Sequence, residues 1–266
     1  MKYSTMHKAT VYILVYNNEH TLKDTVDSVL KQDMDDIQVI ISDDGSTKYD
    51  TSLLEKYGEM LRTRFEDVII NVNECNIGTV KHINKVFSLC TGQYLFPLSS
   101  GDIFYNSSVV RRYVDAMDKK HSLILTSRHK DVYDDGHSKI RPQYFVGMAL
   151  RLCPKKLTNY MIRKRNLLSG CSTVYSRELL EKHGCFDEKY HLVEDYPYYI
   201  SLLRKGVRFD WIAGPEVIHG IGGVSTGRVH PSIYKDIELM REELYESIDE
   251  FDKKTQAYLK TCHEEN

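Results

Sequence analysis

The sequence predicts an α/β protein built on a Rossmann-like, mostly parallel sheet with helices on both faces. Three observations carry this. Short β-branched runs recur at residues 11–16, 38–41, 68–72 and 94–98, apolar enough for strands buried on both sides. Between them apolar residues recur at helical spacing, as at Leu22, Val26, Val29 and Leu30, so strands and helices alternate as in βαβ units. Polar, turn-forming clusters follow three of the runs, and right-handed crossovers bring such clusters to one edge of the sheet, where ligands bind.

The first run is broken by Asn17, Asn18 and Glu19, and the second stops at Asp43, Asp44, Gly45 and Ser46, a turn rich in side-chain hydrogen bonders. A polar helix through Leu53, Leu54 and Tyr57 leads to the third run. Residues 80–89 read as a helix, and the fourth run ends at Ser99, Ser100, Gly101 and Asp102. Beyond about residue 120 the pattern loosens. Residues 123–126 and 130–133 read as two short strands, with Asp135 and Gly136 as a hairpin turn. Residues 172–175 read as a strand and 178–183 as a helix. Another helix spans 195–203 and tolerates Pro197 in its first turn. Glu194 and Asp195 sit at its start, where the helix dipole favours carboxylates.

Residues 232–259 read as one long helix with Ile233, Ile237, Met240, Leu244, Ile248 and Phe251 on one stripe. The stripe suits packing on the protein's own body better than pairing with a second copy, and oligomeric state stays open. The expected division is a main domain over 1–230, with halves at 1–106 and 107–230, followed by a C-terminal helix in 231–266.

The 266 residues suffice for one substantial core with a small addition. A net charge of −2 argues against nucleic acid as the main partner. Charge is uneven: residues 136–168 hold eight Lys/Arg and no acid, so the remainder carries −10. There Arg151, Lys155, Lys156, Arg163, Lys164 and Arg165 mix with Tyr144, Phe145, Met148, Leu150, Tyr160 and Met161. That mixture suits a solvated basic helix or a contact with anionic lipid headgroups in equal measure. The six cysteines form no C-x-x-C pair, which reads as reduced thiols in a cytoplasmic protein. The first ten residues lack the apolar core of a signal peptide, and no apolar run approaches spanning length, so membrane contact is expected to be peripheral.

Three stretches, VYILVYNNEHTLKDTVDSVLKQDMDDIQVIISDDGST (11–47), NIGTVKHINKVFSLCTGQYLFPLSSGD (76–102) and SGCSTVYSRELLEKHGCFDEKYHLVEDYPYYISLLRKG (169–206), together resemble family-2 glycosyltransferases of the GT-A fold. The resemblance implies inverting transfer of a sugar from a nucleoside-diphosphate donor, a UDP-sugar by analogy, to a saccharide or lipid-linked saccharide acceptor. By position it makes Tyr16 a stacking partner for the base and Asp44 a contact to the base edge, with Asn17, Glu19, Asp43, Ser100 and Gly101 also lining the donor site. Glu194 and Asp195 match the family's acidic pair, with Asp195 as catalytic base and Glu194 orienting or bonding the acceptor. A carboxylate there would take the proton of the attacking hydroxyl.

The departures concern the metal. The family's metal-binding Asp falls at Gly101 and a further usual acid at Ser99, leaving Asp102 on that loop. The expectation is therefore Mn²⁺ or Mg²⁺ on Asp102, with His219 as second ligand or phosphate contact. Lys81 and His82 are alternative counter-charges for the diphosphate, and Arg228 and His230 weaker ones. The segment Gly222, Gly223, Val224, Ser225 and Thr226 after His219 resembles the family's closing loop. The lost acids also leave open a second reading, a catalytically impaired GT-A-fold subunit that only binds sugar nucleotides.

Overall fold

A computed structural model describes residues 7–133, 135–220 and 230–264. Among them nine strands form one sheet: β1 (His7–Val15), β2 (Ile37–Asp43), β3 (Val68–Val72), β4 (Gly92–Ser99), β5 (Ile103–Phe104), β6 (Ile124–Val132), β7 (Ser138–Arg141), β8 (Thr173–Ser176) and β9 (Phe209–Gly220). The order is β3-β2-β1-β4-β8-β6-β9-β5, with β7 hanging on β6. The pairs β3/β2, β2/β1, β1/β4 and β6/β9 are parallel. The pairs β4/β8 and β6/β8 are antiparallel, as are β5/β9 and β6/β7. The first four strands match the apolar runs of the sequence, each within a few residues.

Ten helices accompany them: α1 (Leu22–Leu30), α2 (Leu53–Arg62), α3 (Thr79–Leu89), α4 (Val109–Lys120), α5 (Phe145–Leu152), α6 (Pro154–Lys164), α7 (Arg177–His183), α8 (Asp195–Arg204), α9 (Pro231–Glu246) and α10 (Lys253–Glu264). Alternation along the strands divides the core in two. Val11, Ile13, Val39, Ile41, Phe96 and Leu98 face α1, α2 and α4. Tyr12, Ile40 and Leu95 face the layer holding α3, α7, α8, α9 and α10. Strands covered on both faces read as continuous apolar runs, and every residue of β2 is buried.

Two expectations are corrected. Residues 124–132 form one strand, not two, because β6 pairs with β9 along its length. Its register shifts at Ser127, Arg128 and His129 absorb the polar residues that break the pattern. The hairpin from β6 to β7 is as expected.

The C-terminal segment is two helices, not one. A short turn over Ile248–Glu250 and an extended Phe251 interrupt it. Asp252 then restarts the chain by accepting the Thr255 amide at 2.8 Å. The break lets Phe251 bury its ring with Met240, Leu244 and Leu259 in the shared core, so the apolar stripe packs on the protein's own body.

Candidate active site

Strand β1 lies between β2 and β4, and the chain leaves it for β2 on one side and returns through β4 on the other. The loops therefore part at the carboxyl end of β1, which opens the crevice where α/β sheets bind ligands. All three polar clusters of the sequence meet there. Asn17, at φ 54°, accepts the Thr47 and Lys48 amides at 3.0 Å and donates its own amide to Ser46 Oγ. Asn18 Nδ2 donates to the Ser100 carbonyl at 3.1 Å, and Ser100 Oγ donates back to the Asn18 carbonyl at 2.8 Å. Tyr16, by contrast, is 45% exposed. It is no core tyrosine. Glu19 lies beside it, partly exposed, in a single helical turn.

The Asp43 and Asp44 carboxylates point inward. Asp43 accepts the Ser46 amide at 2.8 Å, Ser46 Oγ at 2.5 Å and Tyr49 OH at 2.6 Å, so it builds the turn. Asp44 accepts Asn73 Nδ2 and the amides of Ile77 and Gly78 at 2.9–3.2 Å, which staples the loop before α3 to the end of β2. Gly45 must be glycine twice over: its φ is +70°, and a Cβ would sit 2.3 Å from the Cys75 backbone. His82 is also displaced from its expected place. It is buried, bonded to Ser42 Oγ at 2.7 Å, and burial pulls its pKa down, so it is no phosphate cation. Lys81 stays exposed on α3.

At the end of β4, Gly101 turns with φ +103°, a conformation that disfavours any side chain. The turn delivers Asp102 inward. Asp102 Oδ2 accepts the Ser99 amide at 3.0 Å, and Oδ1 lies 2.6 Å from His219 Nδ1 near the end of β9. Gly220 packs so closely on this loop that a Cβ would meet the Gly101 carbonyl at 2.7 Å. Burial alone lowers the His219 pKa, but the Cys171 sulfur and the Asp102 carboxylate outweigh it and push it up to about 12. Donor atoms of Asp102, Cys171 and His219 all lie within 4.8 Å of one another. An oxygen, a nitrogen and a sulfur converging on one point suit a divalent transition metal. The expected loop at 222–226 and Arg228 lie outside the described residues. His230 instead caps α9, accepting the Ser232 amide at 3.2 Å.

Glu194 and Asp195 open α8, both partly exposed. Asp195 Oδ2 accepts Asn166 Nδ2 at 3.0 Å and the Gly170 amide at 3.1 Å. Burial raises its pKa, against the lowering effect of the Gly170 and Tyr196 amides and of Asn166. Glu194 is raised as well, by burial and then by the charge of Asp195. Its carboxyl faces a cavity of about 50 Å³ that Ser99, Gly170 and Cys171 also line. Glu194 and Ser99, at the start of the Asp102 loop, thus border one space.

Three contributors were invisible in the sequence. Asn166 lies in an irregular segment, and Cys171 in a short helical turn where nothing in the spacing marks a ligand. Asp236, on α9, is buried and accepts the amides of His191 at 3.0 Å, Leu192 at 2.7 Å and Val193 at 2.9 Å, the three residues before Glu194. One carboxylate from the C-terminal segment therefore sets the approach to the acidic pair.

The model of glycosyl transferase family 2 matches residues 10–184. An uncharacterised glycosyltransferase of Rickettsia typhi is 24% identical over 90% of this chain and 69% of its own length. The Escherichia coli UDP-Glc:alpha-D-GlcNAc-diphosphoundecaprenol beta-1,3-glucosyltransferase WfaP is also 24% identical, over 76% of this chain and 73% of its own. Other Rickettsia relatives are longer, and the chain spans 60% and 32% of two of them. Among solved structures, S. aureus TarS 1–349 in complex with UDP-GlcNAc superposes with a TM-score of 0.66 at 21% identity, covering 89% of this chain and 66% of that one. GalNAc-T7 with UDP, GalNAc and Mn²⁺ gives 0.64 at 15% identity, covering 97% and 54%. The fold is GT-A, as the sequence predicts.

The Asp236 cradle has a direct test. In Asp236→Ala, amide hydrogen exchange at residues 191–193 is expected to rise by tenfold or more, about 1.4 kcal/mol of lost protection, while β1, β2 and β4 stay protected. Unchanged exchange at 191–193 would remove the role given to Asp236.

Proposed function

The chain belongs to glycosyl transferase family 2, and from that membership we propose that it transfers a sugar from a UDP donor to an acceptor hydroxyl with inversion at the anomeric carbon. The observation that supports this most is that Glu194, next to the tethered Asp195, borders the same cavity as Ser99 at the start of the Asp102 loop. In the reaction, the acceptor oxygen attacks the anomeric carbon and loses its proton to Asp195. The bond from that carbon to the diphosphate breaks, and its electron pair leaves with UDP. Asn166 and the Gly170 amide hold Asp195 by one oxygen, which fixes the direction of proton removal. Tyr16 would stack on the base, beside the crevice that Asn17, Asn18 and Ser100 span. A divalent ion, Mn²⁺ or Mg²⁺, held by Asp102 and His219 would supply counter-charge to the departing diphosphate. The kind of sugar, hexose or N-acetylhexosamine, follows from pocket details that neither Tyr16 nor the acidic pair determines.

The acceptor side is assigned to the α5–α6 face. Asn166, which holds Asp195, follows two residues after the end of α6. On α5 and just before it, Tyr144, Phe145, Met148 and Leu152 are 57%, 50%, 51% and 75% exposed, flanked by Arg151, Lys155 and Lys156 without an acid. Half-exposed aromatic and aliphatic side chains rimmed by cations fit an anionic bilayer surface, at about 1 kcal/mol per well-placed cation. A lipid-linked saccharide presented there would reach Asp195 from the membrane side. The acceptor in the printed name of the E. coli relative, a diphosphoundecaprenol, supports this reading.

Asp195→Asn is expected to retain UDP binding while lowering turnover by about a hundredfold or more. Near-normal turnover of the folded variant would exclude Asp195 as the base, and loss of UDP binding as well would mark a structural role. If the protein is instead an impaired sugar-nucleotide binder, wild type already releases no UDP from any UDP-sugar.

Because the base must be ionised, turnover falls as pH drops through the raised Asp195 pKa. Asn166→Ala removes a contact that lowers this pKa, so the acidic limb of kcat should move to higher pH. A limb that stays put or moves to lower pH contradicts the assignment.

Vesicle flotation tests the acceptor face. Binding is expected to vesicles containing phosphatidylglycerol and not to pure phosphatidylcholine, and to be lost in Phe145→Ser/Leu152→Ser. Equal behaviour toward both vesicles would leave the face merely solvated.

A further inference from the structure

We propose that Cys171 is the third protein ligand of the divalent ion, so that the site favours a thiophilic transition metal over Mg²⁺. The proposal deepens the reading above and rests on it only for the diphosphate that would complete the coordination. Three separate elements supply the donors: Asp102 from the turn after β4, Cys171 from the helical turn Gly170–Ser172 before β8, and His219 from the end of β9. Such convergence of three unlike donors is not a consequence of one amphipathic element or one acidic loop.

Each donor is also held from behind. Asp102 Oδ2 is committed to the Ser99 amide, which turns Oδ1 toward the site. The His219 ring packs edge-on against His129 at 5.9 Å. Cys171 Sγ lies 3.2 Å from Ser169 Oγ. Asp102 Oδ1 and His219 Nδ1 now share a hydrogen bond of 2.6 Å. A bound ion would take the place of that proton, and Cys171 would release its own to solvent as the sulfur–metal bond forms. Mg²⁺ takes oxygen ligands in near-octahedral geometry and gains little from a thiolate. Co²⁺ and Zn²⁺ accept sulfur, nitrogen and oxygen together, and bind such sets more tightly than Mn²⁺ does.

Gly101 acquires a reason in this light. Where the family pattern places an acid, this chain turns its backbone and brings in a sulfur from across the crevice.

Co²⁺ titrated into the full chain, without any sugar donor, is the test. A thiolate-to-cobalt charge-transfer band in the near ultraviolet is expected, lost in Cys171→Ser and retained in Cys75→Ser and Cys185→Ser, whose thiols are exposed. Co²⁺ affinity should fall at least about tenfold in Cys171→Ser, the scale on which even supporting residues of metal sites count. Excess Mg²⁺ should not displace the cobalt. Alkylation followed by peptide mass spectrometry gives a second readout that needs no variant: Co²⁺ should shield Cys171 and leave Cys75 reactive. No band, a band that survives Cys171→Ser, or alkylation of Cys171 unaffected by Co²⁺ would overturn the proposal. These readouts involve no glycosyl transfer, so a failed activity assay and a failed ligand assignment remain distinguishable.

Discussion

Everything at the site follows from the reversal of strand order at β1. Buried on both faces, β1 takes parallel partners on both edges, so the chain must leave its carboxyl end in opposite directions. Side chains bridge the gap that results: Asn17 reaches across to the β2 turn and Asn18 to the β4 loop. A crevice held by side-chain hydrogen bonds presents backbone and polar groups to a ligand without collapsing, which a continuous apolar packing there would not do. The distant strand β9 then closes one side, because His219 and Gly220 rest directly on the Asp102 loop. Both halves of the chain thus meet at one residue.

Burying carboxylates costs free energy unless each finds donors. Asp43, Asp44, Asp102 and Asp236 all do, mainly from backbone amides. These four act as fasteners between a strand end and the loop that follows or faces it. Glu194 differs. Among the described residues its carboxyl has no side-chain partner, it lies next to another acid, and its pKa is raised. A carboxyl whose folded pKa exceeds its unfolded one binds more protons in the folded state. Stability therefore falls as pH rises between the two values, and at neutral pH the group is a net cost. Such a cost, placed beside a cavity at a helix start, is the mark of a residue kept for chemistry.

The donor half was legible because its strands are buried on both faces, so that each is an uninterrupted β-branched run with a polar stop. Asp102 and His219 were singled out by type and place, and the fold brings them within 2.6 Å of each other. What stayed hidden has physical causes. Strand β6 carries Ser127, Arg128 and His129 because a register shift against β9 accommodates them, and polarity at that point mimics a chain break. The C-terminal stripe has helical period through Phe251, so nothing in the spacing marks where Asp252 starts a new helix. Asp43 and Asp44 stand in a loop whose type was legible, yet only three-dimensional neighbours show which amides and hydroxyls each one fastens. Asp236 is the extreme case. Its partners lie some 45 residues away in sequence, and no local pattern can announce a carboxylate that serves a loop it does not adjoin.

The lost acids at 99 and 101 invite the reading of a decayed site, and the local geometry argues against decay. A loop released from function would be free to keep an ordinary backbone at 101. Here φ is +103°, which a side chain would adopt only under strain. That turn has a specific effect, because it places Asp102 Oδ1 against His219 and in reach of Cys171. Across from it, burial and the charge of Asp195 raise the pKa of a Glu194 carboxyl that has no side-chain partner among the described residues. Glu194 and Ser99, at the start of that loop, line a single cavity. The Gly101 turn and the Glu194 carboxyl are accounted for together by the proposed transfer, in which one serves the diphosphate and the other the acceptor hydroxyl.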